Sequence, residues 1–301
     1  ELGTLDGSFT KFSGKDDGEG TFTLAESDLT NLAIKLATND SEDFSLTVSV
    51  TEQEGDADPS NAVVQTLSVT VDPVSDEAEV EFKDSSGTEI IANITGDHII
   101  EDQSVPLFNG TLTSLTNADD EAAYLSGLEP FIRASVTDMV GDVAETITRI
   151  NITIDDPDDL LSTAYITHYS TLYDDTPNDT ATLAKITNLG GGIFSIKAEP
   201  VSGEDGVFTL PDGLVLVPPA DYNGPITLNV SALSQDDTAS SLESVSESLT
   251  FELAPVAESA EVETNNVSTN EDTPVAINLT TTKADVNGVL DIQISDVPTG
   301  A

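Results

Sequence analysis

The sequence predicts an all-β chain of tandem β-sandwich modules, and three observations carry that reading: strict apolar alternation, internal repetition at long range, and an extreme acidic composition. Alternation is read from Phe44, Leu46, Val48 and Val50, then Leu67, Val69 and Val71, then Ile226, Leu228 and Val230, then Leu249, Phe251 and Leu253. The positions between them are mostly Ser, Thr, Asn and Glu, so each strand has one buried and one wet face, as in antiparallel sheets stacked in pairs. Low hydrophobicity with high net charge favours disorder. Here, however, 38% of the residues are hydrophobic and they fall in these alternating runs, which favours folded β-structure.

The repeats define the modules. Gln65 to Glu81 (QTLSVTVDPVSDEAEVE) matches Glu247 to Glu263 (ESLTFELAPVAESAEVE), and Phe44 to Gln53 (FSLTVSVTEQ) matches Ile226 to Gln235 (ITLNVSALSQ), both at an offset of 182 residues. Thr21-Phe-Thr-Leu24 answers Val207-Phe-Thr-Leu210. A module opening recurs as well: Glu101-Asp102-Gln-Ser-Val105 resembles Glu271-Asp272-Thr-Pro-Val275. The expected organisation is therefore residues 1–76 as the back half of one module, 77–256 as a whole one, and 257–301 as the front half of the next. The chain starts at Glu1 without an initiator Met and reads as an interior stretch.

The two terminal stretches together come to about 120 residues, close to one sandwich domain of roughly 100, whereas the central module has about 180. The excess implies an insertion or a small subdomain, a non-repeat region over about 108–200. Composition singles out the same region. Both Arg residues (Arg133, Arg149), the single Met (Met139), His168, and Tyr124, Tyr165, Tyr169 and Tyr173 all lie between 120 and 175. Arg and aromatic side chains dominate interface hot spots, which makes Arg133, Tyr165, Tyr169 and Tyr173 candidate ligand contacts, although the same residues also suit a differently packed core. Local structure there is open: after Asp158 as an N-cap, Leu161, Tyr165, His168, Tyr169 and Leu172 follow helical spacing, while Tyr165, Thr167, Tyr169, Thr171 and Tyr173 alternate as a strand. Ala118 to Ser126 reads as a short helix.

Charge excludes some functions and suggests a cofactor. With 9 Lys plus Arg against 56 Asp plus Glu, the formal charge is −47. A nucleic-acid binder needs the opposite balance. The longest apolar runs fall far short of the roughly 18 residues a membrane helix needs, so no membrane insertion is expected. Clustered carboxylates bind hard cations through oxygen, and with no Cys there are neither disulfides nor thiolate zinc sites; calcium is the expected staple.

Four acidic groupings are candidate ligand sets. The first is a linker seam, Asp72, Asp76 and Glu77 with Glu101 and Asp102, whose equivalent at the second junction is Glu258 with Glu271 and Asp272. The second is Glu52, Glu54, Asp56 and Asp58, where alternate oxygens on a loop can wrap a 6- to 8-coordinate ion. The third is Asp155, Asp156, Asp158 and Asp159, and the fourth Asp174, Asp175 and Asp179, flanking the tyrosine stretch. None matches an EF-hand loop or a nonapeptide calcium repeat, and each has the plainer reading of a solvated acidic loop.

Catalysis is not expected. The chain carries no Gly-x-Ser-x-Gly, phosphate-loop or His-Glu-x-x-His pattern, only two His, and no Trp to line a sugar cleft.

The run of Glu-Asp-x-x-Val, Phe-Thr-Leu, Pro218-Pro-Ala-Asp-Tyr222-Asn-Gly224, Leu-x-Val and Pro255-Val-Ala257 resembles the cadherin-like or immunoglobulin-like repeats of giant bacterial RTX adhesins. Residues 1–76 depart from it, with Asn39-Asp40-Ser-Glu-Asp43 in place of the Asp-Tyr-Asn-Gly turn. The resemblance implies type I secretion to the cell surface, calcium-rigidified extender modules packed against adjacent repeats, and interspersed ligand-binding domains that serve attachment and biofilm formation. The enlarged central module is then a candidate calcium-dependent binder of a peptide or glycan on a host or neighbouring cell. The alternative is that the whole chain is extender, with length and stiffness as its role.

Overall fold

The computed structural model describes residues 1–83, 101–102, 104–107, 131–137, 144–156, 158–168, 170–173, 180–211, 213–284 and 288–297. They form an all-β protein of several antiparallel sheets with almost no helix. The first strands are β1 (Leu2–Asp6), β2 (Ser8–Lys11), β3 (Leu32–Ile34), β4 (Phe44–Val50) and β5 (Val63–Val69). There follow β6 (Glu79–Lys83), β7 (Val105–Pro106), β8 (Phe131–Ser135), β9 (Thr146–Asp155) and β10 (Tyr165–His168). Next come β11 (Ile186–Gly190), β12 (Ile193–Lys197), β13 (Glu199–Pro200), β14 (Val207–Thr209) and β15 (Leu214–Val217). The chain closes with β16 (Gly224–Gln235), β17 (Leu242–Glu243), β18 (Glu247–Leu253), β19 (Glu261–Thr264) and β20 (Leu279–Thr282). No described helix is long and apolar enough to cross a membrane.

The chain divides into two compact units. One comprises Glu1–Glu77, Val136–Thr146 and Ser234–Leu242; the other comprises Ala78–Ser135, Ile147–Leu233 and Glu243–Ala301. In the first, β1 lies between β2 and β3, and β4 pairs with β5 as a separate two-stranded sheet. The hairpin register sets Phe44 opposite Val69 and Leu46 opposite Leu67, so the alternating apolar residues share a face. That face stays largely open, with Val48, Val50 and Leu67 about half exposed.

The second unit holds the core. Its largest sheet has the order β11-β12-β9-β16-β17 with β18 also on β16; a second runs β13-β14-β8-β6, and a third runs β10-β15-β7. Period-2 burial marks each inner face: Ile150, Ile152 and Ile154 on β9, Ile226, Leu228, Val230 and Ala232 on β16, and Leu249, Phe251 and Leu253 on β18 are all buried. Val80 and Phe82 on β6 and Ile132 and Ala134 on β8 supply the facing apolar surface, and β6 packs against β18. Full burial of each such side chain contributes about 1.5–3 kcal/mol relative to exposure.

The open question at residues 161–172 is answered by a division of the segment. Tyr165–His168 is strand β10, paired with β15, and Ser170–Tyr173 is a single helical turn. Pairing with an apolar strand overrides the helical spacing because Ile166 and Leu216 are both buried on the shared sheet. The expected helix at 118–126 lies outside the described residues.

Candidate metal centre

The site is built within the second unit from three chain segments that are far apart in sequence. The first is the turn that launches β16. Tyr222 donates its phenol to the Pro225 carbonyl at 2.7 Å, which closes the turn on itself. Asp221 takes a left-handed backbone at φ 58, a conformation Asp and Asn tolerate better than most residues. Gly224 follows at φ 140, and a Cβ there would lie 3.4 Å from the Tyr222 hydroxyl. Glycine is thus favoured by the backbone conformation, while a Cβ would only touch Tyr222 at ordinary contact distance.

The second segment is the Glu101-Asp102 turn, with Asp102 at φ 65. Glu101 is 3% exposed, and its carboxylate is held on both oxygens: Oε1 accepts the Val256 N–H, and Oε2 accepts Asn223 Nδ2 at 2.9 Å. Its own N–H donates to the Ala254 carbonyl at 3.0 Å. Charge-assisted bonds of this kind offset the cost of burying the carboxylate. Asp102 Oδ1 accepts the Asp221 N–H at 2.9 Å, which ties the two turns together.

The third segment is the strand exit. Because Glu101 fixes Val256, the side chain two residues on is delivered to the same place. One carboxylate oxygen each from Asp102, Asp221 and Glu258 lies within 4.8 Å of the others. Among the described residues this is the one group of three acidic or His side chains that converges so closely. Asp221 is half-buried and the other two are exposed, so the group is open to solvent. An all-oxygen set with a −3 charge suits a hard divalent cation, with water and backbone carbonyls completing the shell.

The surrounding field is also acidic. Burial, then the carboxylates of Asp156 and Asp158, push the Tyr222 phenol above its ordinary pKa. Asp156 spends its oxygens on the Leu160 and Leu161 N–H groups, at 2.7 and 2.9 Å, and thereby caps the turn after β9. Asp155 and Asp158 are exposed beside it.

The remaining candidates fall in separate places. Glu54, Asp56 and Asp58 lie exposed on the loop between β4 and β5, a loop closed by Ser60 N–H on the Glu52 carbonyl at 2.7 Å. Asp72 is exposed, and Asp76 donates its N–H to Glu145 Oε1 at 2.7 Å within the first unit. There Glu145 and Asp236 are buried acids, and the Asp236 N–H meets Ser75 Oγ at 3.0 Å. Glu271 and Asp272 form an exposed turn with Asp272 at φ 61, the backbone conformation of Asp102 repeated.

Of the candidate ligand contacts, Tyr165 is 42% exposed on β10, and Arg133 forms an ion pair with Glu204. Tyr169, Asp174, Asp175 and Asp179 lie outside the described residues, and only the backbone of Tyr173 is described. From the sequence, Glu101 and Asp102 are expected as ligands, and Glu258 is expected with Glu271 and Asp272. The structure gathers Asp102 and Glu258 with Asp221 instead and uses Glu101 as a buried tether. Asp221 was visible only as part of the Asp-Tyr-Asn-Gly turn. No protein-family model and no curated protein matches the chain.

Proposed function

We propose that the chain is a calcium-stabilised, non-enzymatic stretch of a large secreted bacterial adhesin, built from cadherin-like or immunoglobulin-like β-sandwich modules. The observation that carries this reading is the delivery of Glu258, just past the end of β18, to Asp102 and Asp221. A cation held there joins the strand exit to the body of the module and resists bending where few apolar contacts do so. Extracellular calcium modules have dissociation constants of about 10⁻⁴–10⁻³ M, which suits an open three-carboxylate group of this kind. The test is calorimetric titration of the metal-free chain with calcium and with magnesium. Saturable calcium binding in the submillimolar range supports the reading; no heat beyond dilution with either ion removes it.

A second reading adds ligand capture, with the central module binding a cell-surface peptide or glycan. It is favoured by Tyr165, a large aromatic 42% exposed on β10, in the stretch where the aromatics of the chain concentrate. A glycan and peptide array probed in calcium tests it against the pure extender reading. Loss of any hit in Tyr165→Ala supports capture, and an empty array leaves the extender.

A further inference from the structure

We infer that the outer face of the largest sheet holds a site for a carboxylate-bearing glycan, on a row formed by Lys185, Lys197 and Arg149. The register sets Lys197 of β12 directly opposite Arg149 of β9. On its other side the Lys197 N–H donates to the Lys185 carbonyl at 3.0 Å, one place before β11, where Ile186 faces Ile196. Ile150 and Ile196 are paired in the same ladder and fully buried, so they mark the inner face and the cations stand on the outer one. Three of the nine Lys and Arg residues of a chain with 56 acids thus form one cross-strand row. Neighbouring strands lie about 4.8 Å apart, which makes the row about 10 Å long.

Like charges directly opposite one another destabilise a sheet, and the protein does not neutralise this row from within. Four cations elsewhere are paired with carboxylates. In the row only Lys185 is, with Glu199; Arg149 and Lys197 make no ion pair among the described residues. Arg149 is half-buried and anchored by neutral acceptors: Nη1 donates to Thr187 Oγ1 at 3.4 Å and to the Ser195 carbonyl at 3.3 Å. Its charge is therefore held in place without being compensated, and Lys197 is exposed beside it. Two adjacent, uncompensated cations in so acidic a chain break a local rule with no gain to the fold, which marks a binding surface.

Charge complementarity and the neighbouring side chains select the occupant. A carboxylate set between the Arg149 guanidinium and the Lys197 ammonium makes charge-assisted hydrogen bonds to both. Thr187, Asn151 and Thr153 on the same face are neutral hydrogen-bonding groups that suit sugar hydroxyls. Glu243 Oε1 on that face is occupied, accepting Asn151 Nδ2 at 3.2 Å and Ser231 Oγ at 2.7 Å. The single aromatic of β9, β11 and β12, Phe194, is buried on the inner face, so stacked bases find no platform. A glycan with one carboxylate per sugar spaces its charges on the scale of the strand spacing, whereas the dense charge of a nucleic acid meets a chain of −47. The inference rests on the capture reading for the kind of partner, and it is independent of the three-carboxylate group.

The test is biolayer interferometry of the whole chain on immobilised polygalacturonate, with neutral dextran as control, in about 0.15 M salt and millimolar calcium. The wild type should bind polygalacturonate and not dextran. Lys197→Glu sets a carboxylate directly opposite Arg149, so it should melt no lower than the wild type and bind about tenfold more weakly or worse. Arg149→Gln with Lys197→Gln should lose binding to a similar extent. Lys283→Glu changes the net charge as Lys197→Glu does, at an exposed position off this sheet, and should bind as the wild type. No wild-type binding, or equal binding to dextran, overturns the proposal and leaves the capture reading to its array. Full binding by the row variants overturns it too, since calcium then bridges the glycan to carboxylates elsewhere; so does an equal loss in Lys283→Glu. Loss in Tyr165→Ala with full binding by Lys197→Glu keeps capture and removes this surface. Sedimentation in the same buffer should give 31.5 kDa, and wild-type association that Lys197→Glu abolishes would assign the row to a second copy instead.

Discussion

The buried carboxylate of Glu101 accepts the backbone N–H of Val256, 155 residues further along the chain. Its other oxygen accepts Asn223 Nδ2, so one side chain joins the module opening, the turn before β16 and the strand exit after β18. Because both oxygens are engaged by donors of the protein, Glu101 acts as a tether that places Asp221 and Glu258.

Glu101→Ala is therefore expected to lower stability even without metal. It removes the acceptor of the Val256 N–H and of the Asn223 amide, both partly open to solvent, at a cost of about 0.5–1.5 kcal/mol for each bond lost. Glu101→Gln keeps one acceptor and should fall between Ala and wild type. Urea unfolding in EDTA gives the order; equal midpoints for all three would remove the tether role.

Asp221→Asn and Glu258→Gln should behave oppositely with and without calcium. Each removes one charge from three carboxylates lying within 4.8 Å of one another, which relieves repulsion and leaves the metal-free protein as stable or slightly more so. Each also removes a charged ligand, and calcium affinity should fall by about tenfold or more. Titration calorimetry beside melts in EDTA separates the two effects, and an unchanged affinity would place the ion elsewhere.

Gly224→Ala tests the turn. A side chain at φ 140 is strained, so a loss of about 1–3 kcal/mol is expected from the backbone alone. Chemical unfolding reads it directly. An Ala variant as stable as wild type would show that the turn relaxes freely.

Acid should act on the first unit through Asp28 and Asp17. The Lys15 ammonium bonded to Asp28, followed by the Ala25 N–H, holds its carboxyl below the usual value; the Glu19 and Thr21 N–H groups do the same for Asp17. A lowered folded-state pKa means that the stabilisation is present above the ordinary carboxylate value and is lost as pH falls through the lowered one. Side-chain NMR titration should find the Asp28 midpoint below that of exposed acids, and Lys15→Met should bring it back up.

Much of the fold was legible because strand alternation is a local property. Phe44 to Val50, Leu67 and Val69, Ile226 to Val230 and Leu249 to Leu253 all fall in strands, and burial in the second unit follows the same parity. Repetition of sequence also foretold repetition of structure, down to identical hairpin registers. The three-carboxylate group was only half legible for the converse reason. Asp102, Asp221 and Glu258 are brought together by sheet topology and by a tether at Glu101, none of which a local pattern encodes. The local pattern Glu54, Asp56, Asp58 stood out in sequence, yet those side chains lie exposed on a loop without converging. At residues 161–172 two periodicities competed, and pairing with β15 decided where the strand ends.

The most direct test of calcium as the structural staple is a thermal melt of the whole chain in millimolar calcium and again in EDTA, with Asp221→Asn run beside the wild type. At about ten times its dissociation constant the ion adds about 1.4 kcal/mol by mass action, which for units of this size raises the midpoint by several degrees. The wild type should show that rise, and Asp221→Asn a much smaller one. Coincident wild-type melts in calcium and EDTA would contradict it.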